Sequence, residues 1–317
     1  MRLLFIFIDG VGLGDRQADN PFYYNKTPGL SGLLDDKGLL EEYINYVGTR
    51  ASLLGLDATL GIEGLPQSAT GQASIFTGVN AAALLGRHLS GFPDNLLRRL
   101  IAGKSLFKQL KARGFRTAFV NAYRPQFFES LRSGLPGCRY SCSTLVTYYG
   151  GLPFYSIDDI KAGRALYMDI TNEVLRHMEF DVPLITPEEG AQRLIRLSKN
   201  YDFCLFEYFL SDLAGHLGDH LEADYVVSIL DRFISTLANQ INPDEEMLVL
   251  TSDHGNLEDL TQRDHTLNKV PALLVGDLNL RRYIHSGLND LTDLLPASLT
   301  ILDWERSAGH SVNDMIN

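Results

Sequence analysis

The chain has no long hydrophobic run. Its longest early apolar stretch, Leu3 to Ile8, stops at Asp9. That is too short for the core of a signal peptide, and no other stretch approaches the roughly 20 apolar residues that span a bilayer. Cysteine is equally sparse. Cys138, Cys142 and Cys204 are odd in number and wrongly spaced for a disulfide framework or a zinc ribbon. Reduced thiols in a cytoplasmic protein are the expectation. Basic residues are outnumbered, 28 Lys and Arg against 39 Asp and Glu, for a net charge of −11. A polyanion needs a basic face to bind, so nucleic acid is not an expected partner. A local basic pocket for a small anion stays open. Repeats and low-complexity tracts are missing too, which excludes a repeat architecture. Nothing in these absences fixes an oligomeric state.

What is present suits a soluble α/β protein. The hydrophobic fraction is 45% and the charged fraction 21%, over 317 residues. Continuous apolar runs at Arg2–Ile8, Arg116–Asn121, Tyr201–Phe209, Glu246–Thr251 and Val270–Val275 read as buried strands. Between them, 73–85, 105–113, 188–199, 222–239 and 292–302 read as helices, the first opening just after Gly71. The alternation predicts a three-layer α/β/α fold with a mostly parallel central sheet. Residues 122–187 break the rhythm, being rich in Tyr, Gly, Pro and Ser. They are expected to form an irregular cap or lid inserted into a catalytic domain made of 1–121 and 188–317.

Carboxylates and imidazoles recur at the ends of these strands. Asp9 follows the first strand, Asp212 the Tyr201–Phe209 strand, and Asp253-His254 the Glu246–Thr251 strand. Ligands of open α/β sheets gather beyond the carboxyl ends of strands. His216 lies four residues after Asp212, a helical spacing that puts both side chains on one face. His265 stands just before the last strand and completes a second group. Imidazole and carboxylate together suit zinc or manganese. The expectation is two divalent metal ions, one held by Asp9, Asp253 and His254, the other by Asp212, His216 and His265. His88, His177, His285 and His310 lack such partners, and His220 is an alternative or supporting ligand.

A site of this kind needs a nucleophile. Ser68 and Thr70 stand in Pro66-Gln67-Ser68-Ala69-Thr70-Gly71-Gln72, a loop feeding a helix. A helix start offers free N–H groups to a phosphate, and a metal lowers the pKa of a hydroxyl. Either residue would serve equally well as a plain N-cap. For the rest of the substrate, Arg124 at the end of a strand is the first anion contact to consider. Tyr148 and Tyr149, before the pair Gly150-Gly151, are candidates for a hinged lid over it.

The ordered set Asp9, Ser68, Asp212 with His216, Asp253-His254 and His265 resembles the alkaline phosphatase superfamily. The similar branch is that of cofactor-independent phosphoglycerate mutase and phosphopentomutase. Ile8-Asp9-Gly10-Val11-Gly12, Asp212-Leu213-Ala214-Gly215-His216 and Asp253-His254-Gly255-Asn256-Leu257-Glu258 carry the likeness, with His265-Thr266 and Asp293-Leu294-Leu295-Pro296. It covers roughly 1–100 and 190–303. The resemblance implies an alkaline-phosphatase-like fold, Ser68 as nucleophile and as a further ligand of the Asp9 ion, and a small phosphorylated substrate. Ala69 and Gln72 stand where the mutase motif has Glu and His, and the middle segment is short of a mutase's large inserted domain. The resemblance therefore implies a phosphatase first, a phosphomutase on a phosphosugar or phosphosugar acid second, and a catalytically weak metal-binding protein third.

Overall fold

Alternate residues of the first strand feed two different cores, and that sets the architecture. The computed structural model describes residues 1–134 and 139–307; Cys138 and His310 lie outside the described residues. Its strands are β1 (Arg2–Ile8), β2 (Tyr46–Val47), β3 (Ala51–Leu56), β4 (Thr117–Phe119), β5 (Ala122–Tyr123), β6 (Tyr155–Ser156), β7 (Phe203–Tyr208), β8 (Glu246–Thr251) and β9 (Val270–Val275). Leu3, Phe5 and Phe7 of β1 point into one apolar cluster, and Leu4, Ile6 and Ile8 into the other. A strand with period two can be hydrophobic throughout only if both its faces are covered. Each such side chain contributes about 1.5–3 kcal/mol on full burial.

Seven strands form one sheet in the order β2-β3-β9-β8-β1-β7-β4. β8, β1, β7 and β4 pair in parallel, while β9 is antiparallel to both β8 and β3. The expected three layers and mostly parallel direction hold, but the sheet is mixed. The reversal at β9 follows from its connection: a loop from β8 carries His265 and returns directly, without the crossover helix that a parallel neighbour requires. One face is covered by helices that include Ser68–Thr77, Asn95–Lys104, Leu106–Ala112, Cys142–Gly150 and Leu294–Ser307; Pro187–Ser198 and His220–Gln240 cover the other. Among the described residues, no helix is long and apolar enough to cross a membrane.

Two local expectations need correcting. The helix expected over 73–85 starts five residues earlier, at Ser68, and breaks at Gly78 in a left-handed C-cap before a short second helix, Ala81–Leu85. Within 122–187, expected to be irregular, the described residues hold four helices and the small parallel pair β5–β6. Tyr140, Cys142, Leu145 and Val146 join the main apolar cluster. Ile157, Ile160, Tyr167, Leu175 and Val182 build a small separate one. Cys142 and Cys204 are buried free thiols.

The antiparallel edge is tied down by one buried cation. Arg281, 1% exposed, donates to the carbonyls of Gly276, Gly48 and Thr49 at 3.1, 3.2 and 2.9 Å and to Ser52 Oγ at 2.7 Å. Replacing it by methionine keeps bulk but strips the buried Gly48 and Gly276 carbonyls of their donor. Arg281→Met should lower unfolding free energy by about 2–4 kcal/mol, read as a shift in the urea midpoint. A loss below about 1 kcal/mol would remove Arg281 as an anchor of this edge.

Candidate metal centre

β8, β1 and β7 are neighbours and end at one level, with Phe7 paired to Thr251 and Ile8 to Tyr208. The residues that follow them therefore converge. Asp9 leaves β1, Asp253 and His254 leave β8, and β7 runs into the helix Leu210–Leu217, which carries Asp212 and His216. The helix Ser68–Thr77 closes in from the side. Its Gly71 permits this, since a Cβ there would lie 2.7 Å from the Asp253 carbonyl. Gly10 does the same for Asp212: its φ is +70°, and a Cβ would sit 2.6 Å from Asp212 Oδ1.

All the expected ligands meet. His254 Nε2 lies 3.1 Å from Ser68 Oγ, 3.3 Å from Asp9 Oδ1 and 3.6 Å from Asp253 Oδ2. Asp212 Oδ2 is 3.3 Å from His216 Nε2, and its Oδ1 is 3.7 Å from His265 Nε2 and 4.0 Å from His254 Nδ1. Two sets have converging donor atoms: Asp212, His216 and His265, and Asp9, Asp212 and His254. Asp212 thus stands between both groups, where the sequence placed it in one. The rings of His254 and His265 stack at 3.6 Å.

The donors fit divalent cations. His265 Nδ1 and His216 Nδ1 face the carbonyls of Pro66 and Arg263 at 2.7 and 2.6 Å. A carbonyl can only accept, so each Nδ1 carries the proton and Nε2 is turned to the cluster. Burial and the neighbouring His254 lower the pKa of His265, keeping its Nε2 lone pair free. That nitrogen sits 3.3 Å from His216 Nε2, a contact a shared cation would relieve. Asp9 Oδ1 is buried without a hydrogen bond of acceptable geometry. The carboxyl of Asp9 is held well above its ordinary pKa by burial and by the charge of Asp253. Burial pulls His254 down, but Asp253, Asp9 and Asp212 outweigh it and raise the imidazole to about 10.

Ser68 opens its helix with Gln67 as N-cap, and its hydroxyl faces His254 and does not cap. Thr70 is buried and turned away, donating to the Gln67 carbonyl at 3.1 Å and accepting from Leu89 N at 3.3 Å. His220 pairs with Asp19 and Tyr24, at 3.6 and 3.1 Å, outside the cluster. Arg124 lines a cavity beside the centre. Tyr148 and Tyr149 do not. Gly150 ends their helix against Phe107, and Gly151 caps it in a left-handed conformation, with Lys111 Nζ 3.0 Å from the Gly150 carbonyl.

The sequence reading missed the residues that hold the ligands. Gln72 Nε2 donates to Asp9 Oδ2 at 3.2 Å and Asp253 Oδ2 at 3.0 Å. Asn256 Nδ2 donates to Asp212 Oδ1 at 2.7 Å. Glu258, buried, accepts from the amides of Gly12 and Asn256, both at 2.8 Å, and from Thr266 Oγ1 at 2.5 Å, tying three loops together. Glu207 accepts from Ser143 Oγ at 2.6 Å. Burial, with Asp253 adding to it and Ser143 opposing, pushes its carboxyl up to about 7. An amide beside Asp253-His254 was the available signal for Asn256, and one four residues after Ser68 for Gln72.

The model of the Metalloenzyme superfamily matches residues 1–294, and the chain belongs to that superfamily. Within it, the chain is similar to 2,3-bisphosphoglycerate-independent phosphoglycerate mutases. The Moorella thermoacetica protein is 31% identical over 134 residues, 40% of this chain and 25% of that protein. The one from Ehrlichia canis is 30% identical over 133 residues, 38% of this chain and 26% of that protein. The match thus spans about a quarter of the length of these relatives. The PH0037 protein from Pyrococcus horikoshii shares the fold, with a TM-score of 0.57 at 17% identity over 95% of this chain and 96% of that one. So does the lipoteichoic acid synthase LtaP from Listeria monocytogenes, at 0.51 and 13% over 95% and 72%.

The electrostatics predict a pH signature. Between the ordinary histidine pKa near 6.5 and about 10, the folded metal-free chain keeps a proton on His254 that the unfolded chain has shed. Stability must then fall as pH rises. Asp9, raised from the ordinary carboxylate range, adds a fall of the same sign that begins at lower pH. Chelator-treated protein should lose thermal midpoint steadily across this window. Saturating manganese or zinc should restore it more at the alkaline end, because cation replaces proton. A midpoint that climbs with pH in chelator would refute this account.

Proposed function

We propose that this chain is a metal-dependent phosphoryl-transfer enzyme that hydrolyses a small phosphoester, with Ser68 as nucleophile. The observation that carries the reading is the joint one of a hydroxyl on a helix start and two converging Asp-His groups within a few ångströms of it. Asp9, Asp253, His254 and Ser68 would hold one divalent ion, and Asp212, His216 and His265 the other. Once bound, manganese or zinc supplies Lewis-acid polarisation of phosphoryl oxygens and lowers the pKa of a hydroxyl or water.

The chain's own residues do the rest. His254 Nε2, 3.1 Å from the Ser68 hydroxyl, would hold it in place through the ion they share, and by a hydrogen bond when no ion is bound. The start of the helix Ser68–Thr77 turns the positive end of its dipole toward the phosphate, its Ala69 amide being already engaged by the Leu89 carbonyl. The Ser68 Oγ–P bond forms as the P–O bond to the alcohol breaks, and the alcohol leaves with a proton. Water then cleaves the phosphoserine, giving inorganic phosphate and free serine. Gln72 and Asn256 fix the carboxylates, so little reorganisation accompanies the transfer. We assign 122–187 as a cap that controls access of water.

A second reading, phosphomutase, draws on the relatives named phosphoglycerate mutase. Ala69 and Gln72 in place of the mutase Glu and His, together with the short middle segment, favour hydrolysis. A phosphosugar panel separates the two: free phosphate marks a hydrolase, an isomeric phosphosugar without phosphate release a mutase.

Ser68→Ala should reduce turnover by several orders of magnitude with the fold intact, and Thr70→Ala should be mild. Asp253→Ala and His216→Ala should each lose about one of two ions by elemental analysis. Equal losses in the two hydroxyl variants would reassign the nucleophile, and full metal in both ligand variants would displace the site.

A further inference from the structure

Beside the metal centre lies a cavity of about 380 Å³ whose lining includes Tyr123, Arg124, Phe127, Arg139, Tyr140 and Tyr167. We infer that it seats the alcohol part of the substrate, and that this part carries both a planar ring and a second negative charge. The inference rests on the phosphoryl-transfer reading above and narrows its substrate class.

Position comes first. Glu207 and Phe209 also line the cavity; Phe209 immediately precedes the helix that carries Asp212 and His216. Cys142 donates its Sγ to the carbonyl of Ala69, next to Ser68, at 3.3 Å, and the adjacent Ser143 binds Glu207. The cavity and the nucleophile's helix therefore share a wall. On this placement the ester substituent of a phosphate at Ser68 would extend toward this space.

Size and lining give the class. At roughly 30 Å³ per water the volume equals about a dozen waters, and it lies within the range of small-molecule sites. A three-carbon alcohol would leave most of it empty. The rings of Tyr123 and Phe127 stack at 4.0 Å, and Tyr140 meets Phe127 edge-on at 5.8 Å, making a rigid aromatic wall. Such a wall favours a flat ligand. The guanidinium of Arg124 donates to Met178 Sδ at 3.1 Å, a weak acceptor. Neither Arg124 nor Arg139 makes an ion pair among the described residues. The carboxyl lining the cavity, Glu207, is engaged by Ser143. Two unpaired forks at one concave surface, in a chain of net charge −11, are arranged for an anion.

Four probes on the metal-loaded full chain test this. Adenosine 3′,5′-bisphosphate and phosphosalicylate combine a ring with a second anion, phenyl phosphate has the ring alone, and 3-phosphoglycerate the anion alone. At least one combined probe should exceed both single-feature probes in kcat/KM by tenfold or more. Which one does so identifies the second anion as phosphate or carboxylate. Arg124→Gln should shrink that preference below threefold. Binding is read separately in metal-loaded Ser68→Ala, by calorimetry: adenosine 3′,5′-bisphosphate should bind at least tenfold tighter than AMP, and Arg124→Gln in that background should abolish the difference. Uniform kcat/KM with equal binding of the two nucleotides overturns the inference. If no probe turns over while the binding difference persists, the cavity assignment stands and the phosphoryl-transfer reading falls.

Discussion

Everything at the carboxyl edge of the sheet answers one constraint: Asp9, Asp212 and Asp253 are gathered into a space largely closed to water. Burial raises the proton affinity of Asp9, and the neighbouring charge of Asp253 adds to the effect. Without cations the cluster keeps protons, visible in the raised Asp9 and His254. Two divalent ions would neutralise it without them. The same crowding explains the amides aimed at the carboxylates. Gln72 spans Asp9 and Asp253, Asn256 holds Asp212, and Glu258 ties the loops that carry them. Each removes a degree of freedom that repulsion would otherwise exploit.

The fold makes that concentration possible by locking three strand ends at one level. β1 is buried on both faces and pairs in register with β7 and β8, so its end cannot slide without emptying two apolar clusters at once. Close approach then depends on missing side chains. Gly10 lets Asp212 in and Gly71 lets the Ser68 helix rest on Asp253. A methyl group at either place would push a ligand outward, and Gly10 would be strained in backbone as well.

How far this was legible follows from what each residue must do alone or in company. β1, β8 and β9 are legible to the residue because each apolar run ends within two residues of a carboxylate, Asp9, Asp253 and Asp277 in turn. The candidate metal ligands are legible because cation-binding chemistry admits few residue types. β3 escapes, since Ala51-Ser52-Leu53-Leu54-Gly55-Leu56 mixes small residues into its run. The direction of β9 escapes because pairing sense is a property of a connection and not of a strand. Ser68-Ala69-Thr70-Gly71 reads as a loop, and its helical state comes from packing on Asp253. Gln72, Glu207 and Glu258 escape because a buried polar residue is informative only once its burial is known.

The substrate end of the site is harder to read than the metal end for a related reason. A cation dictates its donors, whereas a cavity for an organic group is assembled from ordinary aromatics and arginines whose meaning lies in facing one another. Tyr148 and Tyr149 sit beside a Gly pair suggestive of a lid, yet their helix is packed on Phe107 and capped by Lys111. Tyr123 and Phe127, unremarked in sequence, stack to form the cavity wall. The hydrolase and mutase alternatives differ in the same quarter. Under the proposed mechanism identical ligands would serve both, and the outcome would turn on whether water or a second hydroxyl reaches a phosphorylated Ser68 first. On the proposed reading that choice falls to the walls around Glu207 and Arg124, because the candidate metal ligands are common to both chemistries.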